Sequence, residues 1–437
     1  MSILTFKGGI HPKDGKAMSK AKAIKALTPK GEIVIPLSQH IGAPATPCVE
    51  VGDRVLVGQK IGEAAGFISA NVHSSVSGTV KKIEPRMIAS GAMVNSVIIE
   101  NDDTYEEYIW ELKDFEDMSK DDIRAAIKEA GIVGMGGAGF PTNVKLTPKD
   151  DDAIEYVIVN GAECEPYLTS DYRRMIEQPE VLVEGLKIVL SLFKNAKGII
   201  AIEDNKLDAI TALKKITKTE ENIEVKGVYT KYPQGGERAL IYAVTGREVN
   251  SSMLPADVGC VVNNVDTMFA IYSAIINHKT LYSRVVTISG DAVTTPGNYL
   301  VPIGTSFTEV IEAAEGFKRT PEKIISGGPM MGTAVFTTDI PITKGTSAIL
   351  AFRKDQVAKA KPSPCINCGK CLEVCPGRVM PSRLATYAEH GDKESFIDNY
   401  GMECCECGCC SYICPAKRNL TQSIKSMRKD ILASRKK

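Results

Sequence analysis

Cys365, Cys368, Cys371 and Cys375 stand at C-x2-C-x2-C-x3-C and run directly into Pro376. Cys404, Cys407, Cys410 and Cys414, followed by Pro415, repeat that spacing. Three thiolates in close series can wrap one face of a cuboidal iron–sulfur cluster, while the cysteine before proline turns toward a neighbouring cluster. The doubled pattern therefore predicts two 4Fe–4S clusters with crossed ligation. Cys414 completes the set begun by Cys365, Cys368 and Cys371, and Cys375 completes that of Cys404, Cys407 and Cys410. Zinc ribbons, the competing thiolate chemistry, favour two separated C-x2-C pairs. Cys405 and Cys409 fall between ligands and read as bystander thiols. Two adjacent clusters would pass single electrons.

A second chemistry-bearing stretch is Gly134-Met135-Gly136-Gly137-Ala138-Gly139-Phe140-Pro141, with Lys145 just beyond it. By letter it matches G-x-G-x-x-G, but the dinucleotide fingerprint needs a strand before it and a helix after it. Here residues 119–130 read as a helix capped by Ser119, and Pro141 interrupts any standard helix entry. What remains is a glycine-rich loop whose backbone N–H groups can approach a phosphate or a flat ring. A plain turn is the competing reading.

The elements that would position these groups are those of a multidomain α/β chain. At 437 residues the protein exceeds what one hydrophobic core organises. The sequence has 53 basic and 53 acidic residues, a balance that points to no nucleic-acid partner. No run of about 18 apolar residues suggests a membrane span, and residues 1–25 lack the apolar core of an export signal. A disulfide framework is therefore not expected. From residue 156 onward strands and helices alternate: 156–160 strand, 179–193 helix, 198–202 strand, 204–216 helix, 223–229 strand. Loops at the strand ends carry Asn160-Gly161-Ala162-Glu163-Cys164-Glu165-Pro166, Tyr232-Pro233-Gln234-Gly235-Gly236-Glu237-Arg238 and Asn263-Asn264-Val265-Asp266-Thr267. Each alone would pass as a turn.

Taken together, the glycine loop and these three loops resemble the flavin- and NADH-binding subunit of respiratory complex I and its relatives. That family carries G-R-G-G-A-G-F-P-T-G-x-K, N-A-D-E-x-E-P, Y-x-x-G-E-E and N-N-V-E-T. The resemblance implies that Gly134, Gly136, Gly137, Gly139 and Lys145 cradle the phosphate and ribityl chain of FMN. It implies that Asn160, Glu163, Glu165, Tyr232, Gly235 and Glu237 line the flavin pocket, and that Asn263, Asn264 and Thr267 close its phosphate side. Phe140 lies where NAD(H), the substrate, stacks in the family. Met135, Ala162 and Gly236 replace an arginine, an aspartate and a glutamate of the pattern, and they bear on nicotinamide binding more than on flavin. Cys164 reads as a small packed thiol. No side chain is required as a catalytic acid or base.

Residues 49–83 alternate short strands with Gly-Asp and Ser-Gly turns and resemble a barrel-sandwich hybrid, the fold of lipoyl and biotinyl carriers. The segment 64–75 lacks the lysine those carriers modify, so a docking role is expected, and His11 and His73 read as structural. Residues 284–316 resemble a soluble-ligand-binding β-grasp module. Residues 354–364 form a charged linker. In the tail, Leu420, Ile424, Met427 and Ile431 recur at helical spacing beside Lys417, Arg418, Lys425, Arg428, Lys429, Arg435, Lys436 and Lys437. A helix against a membrane surface or partner groove and a solvated terminal helix are equally open.

The expected units are an N-terminal barrel-sandwich domain (1–115), an α/β FMN/NADH domain (116–280), a β-grasp module (281–353) and a helical ferredoxin-like two-cluster domain (354–437). This order, with the start Phe6-Lys7-Gly8-Gly9-Ile10-His11-Pro12, resembles the RnfC family of the Rnf complexes. The resemblance implies a peripheral subunit on the cytoplasmic face of a membrane-bound ferredoxin:NAD+ oxidoreductase that moves Na+ or H+. It implies other Rnf membrane and iron–sulfur subunits as partners, with ferredoxin reached through them. Soluble cobalamin reductases share the loops and clusters but carry the barrel-sandwich unit after the clusters. A non-enzymatic relay subunit is the remaining alternative.

Overall fold

The structure, a computed structural model, describes residues 4–434. Arg435, Lys436 and Lys437 of the basic tail lie outside the described residues.

At the centre is a four-stranded, all-parallel sheet, ordered Ile223–Val228, Lys197–Glu203, Tyr156–Gly161, Cys260–Asn264. Its strands read as short apolar runs because helices cover them; Val157, Ile158 and Val159 are all fully buried. Pro179–Leu190 and Val265–Ile276 pack together on the sheet. After Tyr156–Gly161 the chain builds first to one side and then, through Cys260–Asn264, to the other. The crevice between those two strands is a topological switch point, where ligands bind in open α/β sheets. Asn160 and Asn264 face each other in register at its lip.

The helix Lys120–Glu129 leads into the glycine loop. Ser119 caps it as expected, accepting from the Asp122 N–H while the Asp122 carboxylate accepts from Ser119 N–H. Gly134 N–H bonds to the Phe140 carbonyl at 2.8 Å, which closes residues 134–140 into a tight loop. Only a four-residue helix, Thr142–Lys145, follows.

The N-terminal unit has two sheets: Glu32–Pro36, Met93–Asn101, Gly78–Met87 and Arg54–Val55 in one, and Thr46–Pro47, Lys60–Glu63 and Val72–His73 in the other. It packs against the rest of this chain. Ser75 donates to the Ile303 carbonyl, and the buried Lys344 ammonium donates to the Asn71 and Gly131 carbonyls at 2.5 and 2.7 Å. His73 is buried beside Lys344, and burial first, then that charge, hold its imidazole well below the usual range.

Residues 4–27, grouped with that unit in the sequence, run elsewhere. Leu4 bridges to Val228, Ile10 bridges to Tyr232, and Ile24–Ala26 adds a parallel edge strand to the third module. That module is a mixed sheet of Ser283–Ser289, Gly297–Pro302, Ala348–Phe352, Lys323–Ser326 and Thr333–Val335 with the helix Phe307–Ala313 on it.

In the last module Leu420–Ser434 packs along Pro381–Glu389. Leu420, Ile424, Met427 and Ile431 are buried in that contact with Leu384, Ala385 and Phe396. Of the readings left open for the stripe, contact with a membrane or partner is not the one the fold uses: the small domain needs that apolar face for its own core, and outward the helix is mainly polar with Leu432 exposed.

Candidate functional site

Every loop singled out from the sequence lies at the carboxyl edge of the central sheet. The Asn160 amide donates to the Gly235 carbonyl at 2.8 Å and accepts from Ala162 N–H at 3.2 Å, which ties the first strand's loop to the Tyr232 loop. A Cβ on Gly235 would sit 2.2 Å from the Ala162 carbonyl oxygen, so that approach requires glycine. Asn264 caps the helix Val265–Ile276 through Asp266 N–H, and its amide donates to Asp171 at 2.7 Å.

The glycine loop is fixed to this edge by Thr267, whose hydroxyl accepts from Met135 N–H at 3.0 Å. Gly136 lies against Asn264. Gly136, Gly137 and Ala138 are exposed, and a Cβ on Gly137 would meet nothing within 4 Å. Met135, where the family has arginine, is buried and serves the core. Lys145 donates to the Val262 carbonyl at 2.8 Å and lies 3.9 Å from Glu237; burial pushes its ammonium down from the usual range.

The site contains buried polar atoms without partners. Neither amide atom of Asn263 is hydrogen-bonded, although the residue is 2 % exposed. Glu163 Oε2, Asp266 Oδ2, Gln234 Nε2 and the Tyr232 hydroxyl share that condition. An unsatisfied buried polar group costs about 1–3 kcal/mol, and several around one crevice fit a polar ligand that completes them. With an open glycine backbone and a partly exposed lysine at its end, these residues fit a flavin mononucleotide.

Two acids of the flavin set are engaged in structure. Glu165 accepts from Met330 N–H and Met331 N–H at 3.1 and 2.9 Å, gripping a turn of the β-grasp module, and burial pushes it up to about 7. Glu163 accepts from Asp171 N–H at 2.9 Å. Phe140 is half-buried beside the loop.

Sequence reasoning missed the groups beneath. Lys16 donates to the carbonyls of Glu163, Glu165 and Leu168, and Arg284 reaches the Met135 and Lys344 carbonyls. Asp171 is pushed up to about 7 by burial first and then by the carboxylates of Glu163 and Asp266. A lone lysine in a lysine-rich stretch carries no signal of such a role.

All eight motif cysteines are free thiols. Cys365, Cys368, Cys371 and Cys414 line one cleft of about 150 Å3 together with Ile366, Leu372 and Met380. Among the described residues no three metal-ligating side chains converge as on a single ion. Cys404, Cys410 and Cys375 lie in or against the domain's core, together with Cys371 and Cys414. The cleft gathers the thiols of one expected set, and soft thiolates in an apolar surround fit an iron–sulfur cluster. Cys407 and Cys409 pack instead with Tyr232, Ile10, Val374 and Cys164. Burial pushes the Cys164 thiol up to about 12, in keeping with a packed side chain. A second cavity, about 70 Å3 between residues 87–91 and 333–337, holds none of the candidate site residues.

Comparison with known proteins agrees with this architecture. Residues 4–104 match the RnfC barrel sandwich hybrid domain, 127–273 the Nuo51 FMN-binding domain and 285–334 the SLBB domain. Crystal structures of an NAD+-reducing NiFe hydrogenase, H2-reduced and air-oxidised, share the fold at a TM-score of 0.51. They are 22 % and 24 % identical, over 73 % and 72 % of this chain and 62 % and 61 % of theirs. The C subunit of the Na+-translocating ferredoxin:NAD+ oxidoreductase complex of Acetobacterium woodii is 48 % identical over 99 % of this chain and 98 % of its own length. Its proton-translocating counterpart from Clostridium ljungdahlii is 44 % identical over 92 % of this chain and 88 % of its own. The chain therefore belongs to the RnfC family, the C subunits of the ion-translocating ferredoxin:NAD+ oxidoreductases known as Rnf complexes.

Proposed function

We propose that this chain is the peripheral Rnf subunit that exchanges hydride with NAD(H) at a bound FMN and relays single electrons through two 4Fe–4S clusters. The observation that carries this reading is the glycine loop fixed at the switch-point crevice, with Asn263 buried and unsatisfied on the strand that flanks it and the second cysteine motif packed against the neighbouring Tyr232 loop. FMN, when bound, supplies the conversion between two-electron hydride chemistry and one-electron transfer.

The chain's own residues supply position and electrostatics. Exposed backbone at Gly136 and Gly137, with Gly134 and Gly139 shaping the turn, admits the phosphate end, and Lys145 sets a positive charge there. Asn263, Asn264 and Thr267 close that side; Asn160, Tyr232, Gly235 and Glu237 form the wall toward the cysteines. Glu163 and Glu165 hold the loop's shape through the backbone bonds described above, and Phe140 borders the nicotinamide side. Cys365, Cys368, Cys371 and Cys414 hold one cluster, and Cys404, Cys407, Cys410 and Cys375 the other. The partners are the other Rnf subunits, with ferredoxin reached through them, at the cytoplasmic face of the membrane. No helix among the described residues is long and apolar enough to cross one.

Flavin titration tests the site. Lys145→Met and Asn263→Leu should each weaken FMN binding by about tenfold, which is about 1.4 kcal/mol. Affinities equal to that of the unaltered chain would remove the flavin from this crevice.

A further inference from the structure

The two cysteine motifs differ in what surrounds them. Cys407, Cys409 and Cys410 are buried, and Cys409 lies 3.8 Å from the Tyr232 carbonyl of the flavin-side wall. Residues 8–10 are clamped into the same contact. Ile10 bridges Tyr232, Gly9 N–H bonds to the Val374 carbonyl, and a Cβ on Gly8 would stand 3.0 Å from the Cys375 carbonyl oxygen. Glu403 fastens the junction by accepting from Arg238 and from Ser251 N–H at 3.1 and 2.8 Å.

The first motif faces the other way. Residues 361–370 are all exposed, including Cys365 and Cys368. Ile366, Leu372 and Met380, at 65 %, 47 % and 39 % exposure, share the cleft with the four thiols. Lys370 and Lys417 adjoin lining residues along the chain, Lys361 and Arg378 stand within a few residues of the lining, and all four are exposed with none in a salt bridge among the described residues. Glu373 is the one acid between residues 361 and 380. An apolar centre within a charged rim is the anatomy of a transient protein interface, and a rim of one sign steers a partner of the other.

Resting on the cluster assignment above, we propose that the two motifs are ordered. The Cys404–Cys410 side meets the flavin, and the Cys365–Cys371 face is the outlet, where an acidic iron–sulfur protein docks on Ile366, Leu372 and Met380 beside Lys361, Lys370, Arg378 and Lys417. Each encounter moves one electron between the centre enclosed by Cys365, Cys368, Cys371 and Cys414 and the partner's own cluster, one being oxidised as the other is reduced.

Two measurements on the dithionite-reduced, reconstituted full chain test this without any turnover. In the first, a soluble dysprosium complex should speed the spin relaxation of the EPR signal altered by Cys368→Ser several-fold more than that altered by Cys407→Ser. Equal or reversed enhancement overturns the order. In the second, the probe is a small acidic two-cluster ferredoxin at low ionic strength. Combined Lys361→Glu, Lys370→Glu, Arg378→Glu and Lys417→Glu should weaken its binding at least about tenfold with iron content unchanged. Unchanged affinity overturns the docking face, as does a wild-type chain that binds anionic vesicles and not the ferredoxin. A chain that takes up no iron overturns both this proposal and the cluster assignment. Loss of FMN binding with the relaxation contrast intact overturns only the flavin reading.

Discussion

Asp171 shows what a single buried carboxyl does beneath this site. Burial, with Glu163 and Asp266 nearby, pushes it up to about 7, against about 3.9 for an unfolded aspartate. Between those values the folded chain holds a proton that the unfolded chain has released, so this residue's contribution to stability falls as pH rises from about 4 to about 7. Asp171→Asn keeps an acceptor for the Asn264 amide and abolishes the ionisation. Its urea midpoint, followed by the fluorescence of Trp110, should exceed that of the unaltered chain at pH 7.5 and approach it at pH 5, by a difference on the order of a few kcal/mol. A constant offset across that range would show that Asp171 does not titrate in folding. The thiols were legible in the sequence because cluster ligation demands a fixed spacing. Lys16, Asp171 and Arg284 were not, since Lys16 and Arg284 act through carbonyls that any sequence supplies and Asp171 acts with Asn264, 93 positions away.

At the scale of elements, periodicity identified three of the four strands of the central sheet and the helices at 179–190 and 207–216 to within a few residues, because apolar runs flanked by turns leave few alternatives, whereas the strand Cys260–Asn264 and the helix Val265–Ile276 were read only as a polar loop at 263–267. The helix Lys120–Glu129 was visible through its capping box. The tail helix was visible as a helix but not in its use. Its apolar stripe at residues 420, 424, 427 and 431 has the same pattern whether it meets a membrane, a partner or its own domain, and only the fold shows Leu384, Ala385 and Phe396 waiting for it. Ile424, fully buried, is the test position. Ile424→Asp places a charge in the small core at a cost of roughly 3–5 kcal/mol, more than so small a domain can absorb. Iron uptake should fall sharply while FMN binding persists. Full iron content in this variant would mean that the helix does not support the cluster domain.

Across the whole molecule, the order of modules was readable from motifs, but their arrangement was not. Residues 4–27 thread past the central sheet, the cysteine domain and the β-grasp sheet, and no local pattern signals such a path. Glu165 grasping the Met330–Met331 turn, Lys344 entering the barrel-sandwich unit and Glu403 holding the last domain to the flavin wall make one framework of four modules. That framework brings the second cysteine motif to the crevice where flavin is expected, and the central claim is electron transfer between them. The direct test is anaerobic reconstitution of the full chain with iron, sulfide and FMN, then titration with NADH followed by absorbance and EPR. The account predicts about eight irons per chain, as two such clusters require, with flavin bleaching on NADH addition followed by reduced-cluster signals. Clusters that form while FMN stays unbound, or stays oxidised in NADH, would contradict it.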